Sequence, residues 1–285
     1  DPFNLRANLK TISPKLKFNN KIIEIENIKS QISLKSLIQN KFAIENLEIS
    51  TKSLELKNLA KFTKSISRKP ELFILEKIIN KGYLIADIKL EFNNEGKIKE
   101  NYEINGFIRD TKISLFKKYN IEKLNFIFGY KKNTLKLGDI VFSLNDLNLL
   151  SEEIIVKKTK NDFLINGFLS HDKLELDKEK MEIFLKPFLS KLKTNKIRFS
   201  SKNTFSFKLN KRFQFKDLEI NSDIVLDELL LSNNLNLKKI LPKIKENFSL
   251  NNNKLSIIYK EGNFSIEGRG NILSQNENDY LTYFI

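Results

Sequence analysis

Few residues in this chain could carry covalent chemistry. Its 285 residues contain one histidine, His171, and no cysteine. A Ser-His-Asp or Cys-His nucleophile needs a base beside it, and a zinc site needs several nitrogen or sulfur ligands. His171 lies in Ser170-His171-Asp172-Lys173, which reads as a solvated turn. Sugar hydrolysis needs only two carboxylates at the right separation. Glu24/Glu26, Glu152/Glu153 and Asp177/Glu179 are candidates by proximity, but each is flanked by lysines, as a solvated strand face or helix start would be. Gly268-Arg269-Gly270 lacks the third glycine and the helix of a phosphate-cradling loop. Asn247 and Asn263 open Asn-x-Ser triplets, which are too common to weigh. The sequence therefore reads as non-catalytic, with no cofactor and no metal.

The formal charge of +15 invites a nucleic-acid partner. Only six of the 50 basic residues are arginine, and the lysines are spread along the whole length. A nucleic-acid footprint clusters and favours the planar arginine fork. Lys, Asn, Ile and Phe are abundant together, a mark of A/T-rich codons, so the reading is a solvated lysine face and no nucleic acid. Such a face tolerates anionic lipid headgroups, each nearby lysine contributing about 1 kcal/mol.

The elements that would position these residues are mostly strands. Period-two alternation runs through Leu84-Ile88-Leu90-Phe92, Leu124-Phe126-Phe128-Tyr130, Ile140-Phe142-Leu144, Phe163-Ile165, Phe205-Phe207-Leu209 and Leu255-Ile257-Tyr259. Turns fall at Asn93 to Gly96, Lys131-Lys132-Asn133 and Asn251-Asn252-Asn253, with Asn doing much of the work in a chain of 9 Gly and 5 Pro. Helical pieces are short: Lys178 to Leu192 behind an Asp177 cap and kinked at Pro187, Pro70 to Asn80 ended by Gly82, and weaker stretches at Ser33–Asn40, Asn58–Ile66 and Asn236–Asn247. No apolar run approaches the roughly 20 residues of a spanning helix. The expected fold is mainly β: an elongated, curved antiparallel sheet forming an open apolar groove, with a few short amphipathic helices.

One unit recurs. Tyr102 to Leu115 matches Phe163 to Leu176 without gaps, and Phe264-Ser-Ile-Glu-Gly268 is a partial third copy. Each is an aromatic-x-Ile-x-Gly strand whose glycine is expected at a bend or bulge. The chain is read as one continuous segment, 1–285, with repeat units at about 84–145 and 146–220 and a remainder at 221–285. Asp1, and a final Tyr280 to Ile285 that resembles an unfinished strand, suggest a piece of a longer protein.

The run Ile32 to Leu56 resembles the signature of AsmA-like envelope proteins, with a Ser-Leu-x-x-Leu helix before an Ile-Glu-x-Leu-x-Ile strand. The series Gly82-x-Leu-Ile-Ala-Asp-Ile-x-Leu-x-Phe, Gly96 and Tyr102-x-Ile-x-Gly106 is similar to repeats in the TamB and YhdP relatives. The resemblance reaches to about Leu176. It implies a taco-shaped β-groove in the periplasm, anchored in the inner membrane through regions outside this chain, that guides phospholipid acyl chains towards the outer membrane. That family's function lies in a continuous apolar lining, so no motif residues carry over.

The physical argument points the same way. An apolar strand face short of helical cover needs a partner, and acyl chains would supply one. Phe126, Phe128, Phe142, Leu144, Phe163, Ile165, Phe205 and Phe207 are the expected groove lining, provided that the strands are regular, since a bulge inverts parity. Two alternatives stand beside this: an outer-membrane β-barrel, and a closed, non-catalytic extracellular β-sandwich serving as a binding or scaffold module. A barrel needs strands of ~9–11 residues and aromatic girdles; the strands read here are shorter, Trp is absent and helices interrupt the series.

Overall fold

The alternating stretches are strands in the computed structural model, which describes residues 5–18, 21–66, 70–115, 119–182, 196–210, 214–232, 247–274 and 277–284. The chain divides into two compact units, Asp1–Lys160 and Asn161–Ile285. The copied strands fall one in each, and the boundary lies inside the 146–220 stretch.

The first unit contains β1 (Arg6–Ile12), β2 (Lys15–Phe18), β3 (Lys21–Ser33), α1 (Leu34–Ile38), β4 (Ile44–Thr51), β5 (Leu54–Glu55), α2 (Leu56–Ile66), α3 (Pro70–Ile78), β6 (Ile79–Glu91), β7 (Glu103–Leu115), β8 (Tyr119–Lys131), β9 (Thr134–Leu144) and β10 (Leu147–Lys158). Its sheet runs β1-β3-β4-β6-β7-β8-β9-β10, with β2 on β3 and β5 on β6. The second unit contains β11 (Asp162–Asp177), β12 (Lys196–Asn210), β13 (Phe215–Ser232), β14 (Asn247–Lys260), β15 (Asn263–Ser274) and β16 (Glu277–Phe284), paired in chain order. The pairings in both units are antiparallel, as hairpin-connected strands require. The fold is thus mainly β, as the alternation implies.

Strands are longer than the sequence reading expects: β6, β7 and β8 have 13 residues each and β13 has 18. Length therefore does not separate this sheet from an outer-membrane barrel. The open edges do. Among the described residues, no pairing joins β1 to β10 or β11 to β16.

Two-residue hairpins set the register. Lys132-Asn133, Asn145-Asp146 and Glu261-Gly262 each have positive φ at both positions, the geometry whose twist matches the flanking strands. Asn93 makes a longer turn, its side-chain carbonyl accepting from the Glu95 and Lys97 amides. Asn251 to Asn253 is no turn. It lies within β14, where Asn252 at φ 53° forms a bulge.

That bulge belongs to a series. Positive-φ residues interrupt strands at Asp110, Lys123, Asp139, Lys173, Asp217 and Asn252. In each case the face residues step by three rather than two, as from Ile121 to Leu124, Leu137 to Ile140 and Phe215 to Leu218. An extra residue in a strand rotates every later side chain to the other face. Because the sequence shifts its apolar positions at the same places, the apolar face stays on one side.

Among the helices, α1 begins at Ser33, whose Oγ accepts from the Ser36 amide. α3 stops at Ile78, and Gly82 is not its terminator: it sits inside β6 at φ 143°, against Thr111 and Leu56. Leu56 opens α2. Residues 178–182 are helical, and Asp177 caps them by accepting from the Lys180 amide at 2.9 Å. The rest of that expected helix, with Pro187, and the stretch Asn236–Asn247 up to 246 lie outside the described residues.

α2 covers part of the sheet. Ile25 and Phe62 are 3% and 8% exposed, and with Ile23 they form a cluster joined by Ile28, Ile49, Leu54 and Leu59. Burying a side chain such as Phe62 contributes about 1.5–3 kcal/mol. In the second unit the cluster is Phe248 and Ile272, packed by Leu229, Leu250 and Leu281.

Candidate functional site

Directly paired antiparallel residues share a face, so the register assigns the expected lining. In the first unit Phe128 pairs with Gly106 on one side and Leu137 on the other, Phe126 with Ile108, Phe142 with Leu149, and Leu144 with Leu147. These four occupy one face together with Ile104, Tyr130 and Ile154. In the second unit Phe163 pairs with Leu209, Ile165 with Phe207, and Phe205 with Gly167 and Ile220. These four also share one face. All eight are half-buried, neither sealed in a core nor fully in water. The bulges did not invert the assignment, because parity changes in sequence and backbone coincide.

The rings form short rows. Phe126 and Phe128 lie edge-on with centroids 6.4 Å apart, Phe205 and Phe207 stack at 6.0 Å, and Phe215 continues that row 5.1 Å from Phe207. The glycine of each copied strand is opposite one of these aromatics or its counterpart: Gly106 faces Phe128, Gly167 faces Phe205 and Gly268 faces Tyr283. The bend expected at the glycine is absent; the bulges lie further along, at Asp110 and Lys173. The glycine is needed for close approach instead. A Cβ at Gly106 would stand 2.3 Å from the Ile85 carbonyl oxygen and 2.9 Å from the Phe128 ring, and one at Gly268 would meet the Tyr283 ring at 2.2 Å. An aromatic ring laid across a strand glycine replaces the packing that the missing side chain forgoes.

The opposite face is mixed: Ile85, Phe107 and Ile127, and Val141 with Leu150, are paired on it, among rows of ion pairs. Lys131 pairs with Glu103, Lys112 with Glu122 at 2.5 Å, Arg198 with Glu175 at 3.1 Å, and Lys260 with Glu219 at 2.6 Å. The Lys131 ammonium holds the Glu103 carboxyl below its usual range, first by hydrogen bond and then by charge. Exposed pairs of this kind contribute little to stability. Asn8, Gln31 and Asn46 extend the same face as an amide ladder.

His171 is not in a solvated turn. It lies in β11 on the apolar face, paired with Ser201, and its ring meets Phe199 edge-on at 4.7 Å. Ser201 Oγ and His171 Nε2 are 2.9 Å apart. The Asn203 amide donates to Ser201 Oγ and to the Leu169 carbonyl. Among the described residues, the buried Nδ1 of His171 has no hydrogen-bond partner. Burial pushes the His171 pKa down, against a smaller upward pull from Asp172. A serine–histidine contact thus exists where the sequence suggested none could form. Ser201 is itself buried, however, and the Asp172 carboxylate accepts from Ser200 instead. The pair lacks the carboxylate that orients the imidazole of a hydrolytic triad.

Glu24 lies between Lys15 and Lys52, which lower its pKa; Glu152 and Glu153 are exposed; Asp177 is a helix cap. Asn253, fully buried beside Gly270, donates to the Asn251 and Asn271 carbonyls and so ties the β14 bulge to β15. Sequence reading missed these two polar insertions and the glycine–aromatic slots. The three-residue steps between face positions were the signal available for the bulges. No family model, curated protein or solved structure matches the chain.

Proposed function

We propose that this chain is a lipid-binding sheet of the AsmA-like kind, whose apolar faces hold phospholipid acyl chains and support lipid transport between the inner and outer membranes. On this reading it works in the periplasm, anchored in the inner membrane by regions outside the chain. The observation that carries the reading is the half-buried, phenylalanine-rich face of β7 to β10 and of β11 to β13, on strands whose sheet has open edges.

Physical chemistry supplies the rest. Such a face is unfavourable in water, and each methylene that leaves water contributes about 0.8 kcal/mol, so half-burial of a chain of about sixteen carbons gains about 6 kcal/mol. Acyl chains need no directional partner, which suits a face made of rings and aliphatic side chains. The lysines of the opposite face suit anionic headgroups.

The test is lipid occupancy. Purified protein should carry phospholipid detectable by mass spectrometry and should bind a fluorescent fatty acid. Phe128→Glu in the first unit and Phe207→Glu in the second should each lower that binding without loss of the β circular dichroism signal. Unchanged binding in both variants would remove these residues from the lining and sink the reading.

A further inference from the structure

Between Leu56 and Lys81 the sequence carries seven basic residues against two acidic ones, Glu71 and Glu76. In α2, Lys57, Lys61 and Lys64 are spaced four and three apart and therefore form one stripe. Phe62, buried, lies away from that stripe, and the buried Ala60 borders it.

α3 has the opposite character. Leu72 and Ile78 are half-buried, but Phe73, Ile74 and Leu75 are 45%, 51% and 42% exposed. Three consecutive large apolar residues span most of a helical turn, so they cannot all face α2. Ile66, at the end of α2, is exposed as well. Lys64 links the two helices: its ammonium pairs with Glu76 and lies 4.8 Å from the Phe73 ring centroid. The result is an apolar projection bordered by lysines, the surface that inserts at a headgroup–acyl boundary.

We propose that the α2–α3 hairpin docks on the surface of an anionic bilayer, with Phe73, Ile74 and Leu75 entering the boundary and Lys57, Lys61 and Lys77 meeting lipid phosphates. Charge decides the occupant. A second copy would bring one excess of positive charge against another, whereas an anionic membrane neutralises it. The surface is separate from the sheet face, and the proposal stands without the acyl-chain reading.

The chain contains no tryptophan, so Phe73→Trp in the full 285-residue protein gives a single reporter at the surface in question. Its emission should shift to the blue with vesicles of phosphatidylcholine containing phosphatidylglycerol, less with phosphatidylcholine alone, and the shift should fade at high salt. Ile74→Trp should behave alike, and Phe284→Trp in the second unit should not shift. Phe73→Glu combined with Ile74→Glu should weaken vesicle binding at least about tenfold, while circular dichroism stays unchanged because both positions are exposed. The proposal is overturned if the double variant binds vesicles as the parent does, if pure phosphatidylcholine shifts the emission equally, or if the double variant instead converts a dimer to a monomer in light scattering.

Discussion

Strands β3 to β6 and strands β7 to β10 of the first unit carry the same alternation, yet among the described residues α2 packs on the first set only. Ile23 and Ile25 are sealed beneath Phe62 of α2. Phe126 and Phe128, at equivalent face positions further along the sheet, remain half-buried. The same sequence pattern therefore yields a sealed cluster under α2 and, further along, half-buried rings at Phe126 and Phe128 beside the buried Ile140, Leu147 and Leu149. What differs is the cover, and a β face has no way of specifying its own cover.

The largest effect should come from removing that cover. Phe62→Ala is expected to lower the unfolding free energy by about 3–5 kcal/mol in urea titration. Phe128→Ala should cost clearly less while lowering fatty-acid binding. Equal costs would mean that Phe128 also sits in a closed core, and the contrast would vanish.

A smaller effect is expected at the glycine slot. Gly106→Ala places a Cβ 2.3 Å from the Ile85 carbonyl, which the backbone must move to accommodate. About 1–3 kcal/mol is the usual cost of overpacking. Gly129→Ala, whose Cβ would meet only the Asn105 side chain at 3.0 Å, should be milder. If the two are alike in thermal melts, the slot does not need glycine.

Next comes the polar insertion of the second unit. Burial lowers the His171 pKa below the ordinary 6.5, so the unfolded chain binds the proton more readily. Stability from this group is complete above about pH 6.5 and declines as pH falls through that value towards the folded-state pKa. Melting midpoints should drop on going from neutral to mildly acidic buffer, and His171→Gln should flatten that slope. A slope unchanged by the substitution would place its origin elsewhere. The smallest effect belongs to the polar face: Glu103→Gln should leave the melting midpoint within error, because its partner Lys131 is exposed. A loss comparable to that at Gly106 would show that the ion-pair face matters to the fold.

Much of the fold was legible in the residues. Period-two alternation located the strands, Lys132-Asn133 marked a hairpin, and Asp177 and Ser33 marked helix starts. Phe126 could be placed on one face with Phe128, and Phe205 on one face with Phe207, because side chains alternate along any strand. Mid-strand Asn252 was misread as part of a turn, since asparagine adopts the left-handed conformation equally in turns and bulges. His171 was misread because polar neighbours suggest a loop, whereas strand pairing places it opposite Ser201.

By itself, the sequence determined where the strands alternate, where they turn, and that the apolar positions shift in step with the bulges, because these follow from local sterics and period. Only the tertiary structure decided which strands became neighbours, that Gly106 and Gly268 each lie against a ring from the next strand, and that α2 covers Ile23 and Ile25 while Phe126 and Phe128 stay half-buried. Those outcomes depend on contacts between residues far apart in the chain, which no local pattern encodes.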